Sequence, residues 1–431
     1  MRKLKNSGFG YLGEVPSDWK IERIKNHLRF SPDKNPGEAR VLSLYRDLGV
    51  IPKDTRSDNH NVTSEDTSNY RYVLKGDFVV NKMKAWQGSM AVSEYEGVVS
   101  PAYYVYRFTS NEINKRYFHY LLRSKCYADE FRRLSGGIRI GQWDLSKNGF
   151  ETTYITLPSI EEQIRIAAKI DDQLSKVERL IVNVQQQIEK LCAYRKMVIT
   201  DVVTRGLNAT EEMKSSGVDW IDVIPKNWRI VPLKSLFSFG KGLPITKENL
   251  VEQGVPVISY GQIHAKWNTG VTTHDELLRF VDEGYLETNP SSLVKKGDII
   301  MADTSEDRDG CGNCAYIDTD ATVFAGYHTI ILNSLKGSNN KYLAYLFLTD
   351  AWRSQIRKNV SGVKLFSISR RILNATSVIV PDNSEEMIEY LDSKCSKIDS
   401  LIAIKQAKID ELEQYKKSLV YEYVTGKKEV S

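Results

Sequence analysis

Apolar residues recur at alternating steps of four and three along Ile170, Leu174, Val177, Ile181, Val184, Ile188 and Leu191, and then at Val198 and Val202. The same spacing returns 221 residues later at Leu391, Cys395, Ile398, Ile402, Ile409, Leu412, Leu419 and Tyr423, with Lys405 as the exception inside the series. A seven-residue period held over several heptads makes a narrow stripe, which suits one facing helix better than a broad globular core. The seam position between the apolar groups is basic in both runs, Arg195 in one and Lys416 in the other. Gly206 and Gly426 stand where the patterns stop and fit left-handed helix caps. Each helix therefore holds about 45 residues and spans about 65 Å at ~1.5 Å per residue.

Both helices start alike. Thr156-Leu157-Pro158 leads into Ser159 with Glu162, and Ile379-Val380-Pro381 leads into Asp382 with Glu385; each offers a capping side chain and a carboxylate to the positive helix end. The simplest arrangement pairs the two helices antiparallel within one chain. A homodimeric coiled-coil adaptor carrying the same stripes remains the alternative on periodicity alone.

The rest of the chain is also written twice. At a shift of 209, Ser7, Gly8, Pro16, Trp19, Ile21 and Lys25 meet Ser216, Gly217, Pro225, Trp228, Ile230 and Lys234. YVLKGDFVVNK (72–82) then matches LVKKGDIIMAD (293–303), and RYFHYLL (116–122) matches KYLAYLF (341–347), in the same order. The expected organisation is a first globular domain over 1–158, a central coiled-coil helix over 159–206, a second globular domain over 207–381 and a C-terminal coiled-coil helix over 382–431. β-Branched and aromatic runs such as VLSLY, GVVSPAYYVYRF and ATVFAGYHTIIL read as strands. The segments 114–134 and 340–360 read as helices. The fold class is α+β, two globular α/β units separated and followed by long helices that form an antiparallel intramolecular coiled coil. Equivalent units on a reversed rod obey an approximate two-fold axis, the symmetry of duplex DNA.

With 431 residues, one hydrophobic core does not suffice. A composition of 41% hydrophobic and 27% charged residues, with mean hydropathy −0.39, excludes a disordered or fibrous chain. No run approaches twenty apolar residues and the first residues lack a secretory pattern, so the expectation is a cytoplasmic protein with no membrane segment. Five cysteines, an odd number for this length, point to reduced thiols. A net charge of +5 permits a polyanionic partner without requiring one, so a nucleic-acid surface must be local.

Several polar segments are candidates for such a surface. Each predicted helix of the globular units runs into a Ser-Gly turn and a basic stretch, which offers Arg132, Arg133, Arg139 and Gln142 in the first copy and Arg357, Lys358, Lys364, Arg370 and Arg371 in the second. Cations beside such a turn reach phosphates, and Arg reads guanine edges through paired hydrogen bonds. NKMKAWQGSM crowds Lys82, Lys84, Trp86 and Gln87 after a strand. SYGQIHAKWN places Tyr260, Gln262, His264 and Lys266 in a polar and aromatic run that fits a base-reading loop or an ordinary edge strand. The scaffold segments match between copies and these loops do not, as expected if the two units read different sequences.

The common catalytic signatures are missing. There is no GxxxxGK[ST], no HExxH and no GxSxG, and Cys311-Gly-Asn-Cys314 is half of a zinc pattern with no second half. No catalysis and no metal are expected on this chain.

Taken together, these segments resemble the specificity subunits of type I restriction-modification systems. The resemblance spans nearly the whole length. It rests on the G-x-x-P-x-x-W segments (Gly13 to Trp19, with Asp222 at the glycine position of the second), the KGD strands at 75–77 and 296–298, and LPSIEEQIRIAAKID followed by a helix ending VVTRG. PDNSEEMIEYLDSKCSK starts the second helix without the glutamine. The resemblance implies a non-catalytic reader of double-stranded DNA whose two target-recognition domains each read half of a split target. It also implies two methyltransferase subunits and restriction/translocase subunits as partners. SAM, ATP and Mg²⁺ then belong to those partners, with no cofactor on this chain.

Overall fold

Two long helices organise the chain, a central one over Ile160–Arg205 and a C-terminal one over Glu385–Val424. The computed structural model describes residues 2–46, 48–55, 63–137, 143–208, 210–335, 340–362 and 364–430. Every seam position expected from the heptads is buried or half-buried, including Leu174, Val177, Ile181, Val184, Ile188, Leu191, Ile398, Ile402, Ile409 and Leu412, while Leu180, Val182, Leu401 and Ile404 lie exposed beside them. The chain divides into two compact units. Unit 1 comprises Met1–Gln185 with Lys405–Ser431, and unit 2 comprises Gln186–Ile404. Each unit thus takes one part of each long helix.

The helix parts run antiparallel inside each unit. In unit 1, Ile166, Ala167 and Ile170 share a core with Leu419, Tyr423 and Val424, and Glu178 further along meets Lys416 at 3.5 Å. In unit 2, Val198, Ile199, Val202 and Val203 share a core with Met387, Ile388, Leu391 and Cys395, and Arg195 meets Asp399 at 2.9 Å. The basic seam residues therefore keep their apolar stems along the stripe and carry their charge to a carboxylate at its edge.

In unit 1, strands β1 (Leu28–Phe30), β2 (Phe78–Asn81), β3 (Met90–Val92) and β4 (Tyr103–Phe108) form an antiparallel sheet in the order β1-β4-β2-β3. Helices α1 (Lys115–Arg123) and α2 (Lys125–Arg133) follow. In unit 2, β5 (Phe237–Lys241), β6 (Ile299–Ala302), β7 (Cys314–Tyr316) and β8 (Thr329–Ser334) repeat that order as β5-β8-β6-β7, again antiparallel, and α3 (Lys341–Phe347) and α4 (Asp350–Arg357) follow. Internal duplication is thus a property of the fold. In both units the strand leading into the long helix, Tyr154–Leu157 or Ser377–Val380, pairs with the strand after the tandem Trp, Lys20–Arg23 or Arg229–Pro232.

The shared motifs have local reasons. Gly76 and Gly297 adopt φ of 90° and 94°, so each KGD segment is a tight turn between strands and not the strand interior the apolar runs suggest. The Asp77 carboxylate accepts the Leu74 N–H at 2.9 Å, and that of Asp298 accepts the N–H groups of Lys295 at 2.8 Å and Ser334 at 2.9 Å. Burial raises the Asp77 carboxyl above its ordinary range. The predicted helices over 114–134 and 340–360 are each broken once. Ser124 and Thr349 adopt extended backbone and turn their hydroxyls onto the Leu121 and Leu346 carbonyls, which ends one helix and opens the next.

The long-helix starts also differ in detail. Ser159 accepts the Glu162 N–H at 3.3 Å, as a capping side chain should, but the Glu162 carboxylate turns to Arg2 and to the Trp19 indole instead of closing the box. Gln163 is fully buried and bridges the Asn114 N–H and the Glu112 and Pro158 carbonyls. At the C-terminal helix, Asn383 in place of Asp382 accepts the Glu385 N–H, at 2.9 Å. That helix enters its seam without an equivalent glutamine.

On α1, burial, with repulsion from Arg123 and Arg116, pushes the His119 imidazole down to about 3. An unfolded histidine titrates near ~6.5. Between these values the unfolded chain binds a proton that the folded chain refuses, so the stability from neutral His119 is complete above about 6.5 and drains as pH falls toward 3. The urea midpoint of the wild-type chain is expected to fall more steeply from neutral pH to mildly acidic pH than that of His119→Gln; equal slopes would remove His119 from the balance.

Candidate nucleic-acid interface

Unit 1 gathers most of its expected residues around one aromatic pair. After β2, a single tight helical turn over Ala85–Gln87 closes on Gly88, whose φ of 77° lets the chain return into β3. That turn holds Trp86 half-buried, with its indole N–H donated to the Met83 carbonyl at 3.1 Å and its ring 5.7 Å from that of Trp143. The short ladder between Ser135–Gly136 and Asp144–Leu145 brings Trp143 there, and the Arg132 guanidinium lies 5.8 Å from the Trp143 ring. Lys82 reaches Asp144 at 3.1 Å, while Lys84 and Gln87 point to solvent beside the pair. The result is a half-buried pair of indoles, tilted 57° to one another and edged with cations, which suits stacking and phosphate contact. Trp143 escaped the sequence reading, although it directly follows the basic stretch after the Ser-Gly turn.

Not every expected cation is unpaired. Arg133 holds the buried Glu130 through two hydrogen bonds of 2.6 and 2.8 Å, so its charge is already paired. Arg139 and Gln142 lie outside the described residues.

In unit 2 the segment expected as a loop or edge strand is a short helix, Tyr260–Ile263. Ser259 is its N-cap residue, and Gln262 accepts the Ser259 N–H at 3.1 Å, so this glutamine is engaged by the scaffold. His264 is similarly occupied: its Nε2 lies 2.8 Å from the Thr304 carbonyl and its Nδ1 3.0 Å from the Asn313 amide nitrogen. Lys266 and Trp267 are exposed beyond the helix. The Tyr260 ring packs edge-on against Tyr327 at 5.5 Å and His328 at 5.3 Å, two residues the sequence reading left out.

Arg357 is likewise already paired. It donates to the Asp350 carboxylate and to the Asp309 carbonyl, both at 2.8 Å, and so ties the acidic loop after β6 to α4. Lys358, Lys364, Arg370 and Arg371 are exposed. Arg370 and Arg371 open the short helix Arg370–Asn374, capped by Ser369, and Lys364 precedes a two-residue strand, Phe366–Ser367, that pairs with Thr304–Ser305. The basic segment and the acidic loop are therefore stitched together.

Cys311 and Cys314 sit in the unit 2 core, and burial pushes the Cys314 thiol up to about 11, away from the thiolate a metal needs. Among the described residues, the group that could hold a metal ion is Glu22, His27 and Glu112. There, His27 Nε2 lies 3.0 Å from a Glu22 oxygen, and Glu112 pairs with Lys20 at 3.4 Å. No helix among the described residues is long and apolar enough to cross a membrane.

Comparison with known proteins agrees with this architecture. Residues 16–190 and 225–414 match the type I restriction modification DNA specificity domain. The chain is 26% identical to the type I restriction enzyme MjaVIII specificity subunit of Methanocaldococcus jannaschii, over 96% of this chain and 93% of that protein. It is 24% identical to the putative type I restriction enzyme MjaX specificity subunit of the same organism, over 96% and 95%. A solved structure described under complex assembly and conformational transition of the type I R-M system shares the fold, with a TM-score of 0.67 at 14% identity, covering 95% of this chain and 98% of that one. The two matched segments carry the duplicated sheet, the paired helix parts and the unlike polar loops, and the chain belongs to the type I restriction-modification DNA specificity family.

Proposed function

We propose that this chain is the non-catalytic, sequence-reading subunit of a type I restriction-modification complex, with each unit recognising one half of a two-part duplex target. One observation carries the reading. The same four-stranded framework occurs in both units, while the residues mounted on it differ: Trp86, Trp143 and Arg132 in one, Tyr260, Tyr327 and His328 in the other. A shared framework with unlike contact residues suits a reader of two different half-sites; a symmetric operator would call for equal ones.

The exposed apolar residues beside the seam, Leu180 and Val182 in unit 1 and Leu401 and Ile404 in unit 2, offer docking surface for methyltransferase subunits. Restriction/translocase subunits join through that assembly. SAM, ATP and Mg²⁺ act on those partners in this reading, and this chain supplies recognition and scaffolding.

Selection of the full chain against randomised duplexes tests the proposal. The expected outcome is two short blocks of preferred bases separated by a fixed run without preference. A single block refutes the two-half reading. Equal binding to every sequence refutes DNA reading altogether and favours a protein-only coiled-coil adaptor.

A further inference from the structure

Among the described non-glycine residues, His328 alone has positive φ, 54°, in the left-handed region where a side chain crowds its own backbone. The surrounding structure holds it there. The Tyr260 N–H is donated to the Tyr327 carbonyl at 3.2 Å, the Asp303 N–H to the His328 carbonyl at 3.1 Å and the Gly242 N–H to the Thr329 carbonyl at 3.2 Å. The Thr329 hydroxyl closes the turn on the Gly326 carbonyl at 2.6 Å, and a Cβ on Gly326 would stand 2.0 Å from the Ser259 oxygen. Glycine would adopt the His328 backbone without penalty, so an imidazole at this position is not explained by the turn.

The side chain is presented, not packed. It is 58% exposed, rests against the edge of Tyr260 and has Nδ1 3.4 Å from Asp303 Oδ1, while Asp303 is itself fixed by the Thr304 hydroxyl at 2.7 Å. In the neutral imidazole a carboxylate facing Nδ1 favours the tautomer with its proton there, which leaves Nε2 as an acceptor with no partner among the described residues. The position belongs to unit 2 alone. Tyr327 and His328 immediately precede β8, whereas Pro101 and Ala102 precede its counterpart β4 in unit 1. The neighbouring candidates Gln262 and His264 are already engaged by the scaffold.

We infer that His328, steadied by Asp303 and walled by Tyr260 and Tyr327, is a specificity-determining residue of unit 2, whose Nε2 accepts a hydrogen bond from the exocyclic amine of an adenine or cytosine in the major groove. Those amines are the donors that bases expose there. The inference rests on the DNA-reading function proposed above and names the residue that supplies part of it.

The decisive variant is His328→Gly, because glycine suits the left-handed backbone and leaves the turn intact. Its melting temperature is expected to equal or exceed that of the original chain. In selection against randomised duplexes, preference at one position of one half-site should relax by roughly 5- to 150-fold. The other half-site and the salt dependence should stay unchanged. Unaltered base preference, or uniform weakening across all sequences, would overturn the assignment while leaving DNA reading intact. Absence of any preference in the original chain would instead bring down the functional reading itself.

Discussion

Trp19→Ala is expected to lower the stability of unit 1 by roughly 3–5 kcal/mol, the range for truncating a buried aromatic side chain. Trp19 is 1% exposed, and its loss does more than open a cavity. Its indole N–H is donated to Glu162 at 3.2 Å, and the Arg2 guanidinium lies 5.3 Å from its ring. A Cβ built on Gly426, the left-handed cap of the C-terminal helix at φ 72°, would meet the same ring at 3.1 Å. Removing the indole therefore loosens three partners together: the start of the central helix, the end of the C-terminal helix and residue 2. Trp228 makes the corresponding contact in unit 2, where its ring lies 3.3 Å from a Cβ built on Gly206, the left-handed cap at φ 82°. Circular dichroism through a urea titration should show the early loss of one transition in Trp19→Ala. A variant that melts with the parent would mean that the tandem tryptophans are decoration on helix ends stable without them.

Raising salt from about 50 to about 200 mM should weaken duplex binding by about a thousandfold or more, the behaviour of a protein that neutralises six or more phosphates. The candidates are Lys84 and Arg132 in unit 1 and Lys266, Lys358, Lys364, Arg370 and Arg371 in unit 2, which are exposed and have no carboxylate partner among the described residues. Arg133, Arg357 and Lys82 should contribute less, because Glu130, Asp350 and Asp144 already neutralise them. Each substitution of an exposed cation that touches a phosphate should reduce the log–log slope by about 0.9. A slope near zero, measured by competition at several salt concentrations, would leave no place for this chain on a phosphate backbone.

The parts of the fold that were legible in the sequence are those set by a repeating geometry. The seam from Leu174 to Leu191 and from Ile398 to Leu412 was readable because a helix returns the same face every seven residues, and basic Arg195 and Lys416 could be placed on it for the same reason. Breaks were harder to see. Ser124 and Thr349 each sit in a run with strong helical pattern, and only a hydroxyl turned onto its own backbone ends the helix. The KGD turns hid inside apolar runs that continue on both sides. Polar side chains were the least readable, since Gln262 and Arg357 have the chemistry of a reader and serve as a cap and a loop tie. Residue type gives what a side chain can bond to, whereas only packing decides whether that capacity is already used. His328 was missed for the opposite reason. A histidine before a strand carries no sequence signal, and its significance lies in a backbone angle.

The composition of unit 1 has a consequence for how the chain matures during synthesis. Unit 2 is one continuous stretch, Gln186–Ile404, whereas unit 1 needs Lys405–Ser431 to complete what Met1–Gln185 began. A nascent chain can thus close its second core while the first still waits for Leu419, Tyr423 and Val424 to leave the ribosome. Premature termination near residue 405 would leave the earliest-made half unfinished and the later-made half whole, and the apolar surface awaiting those residues would be the part that chaperones meet.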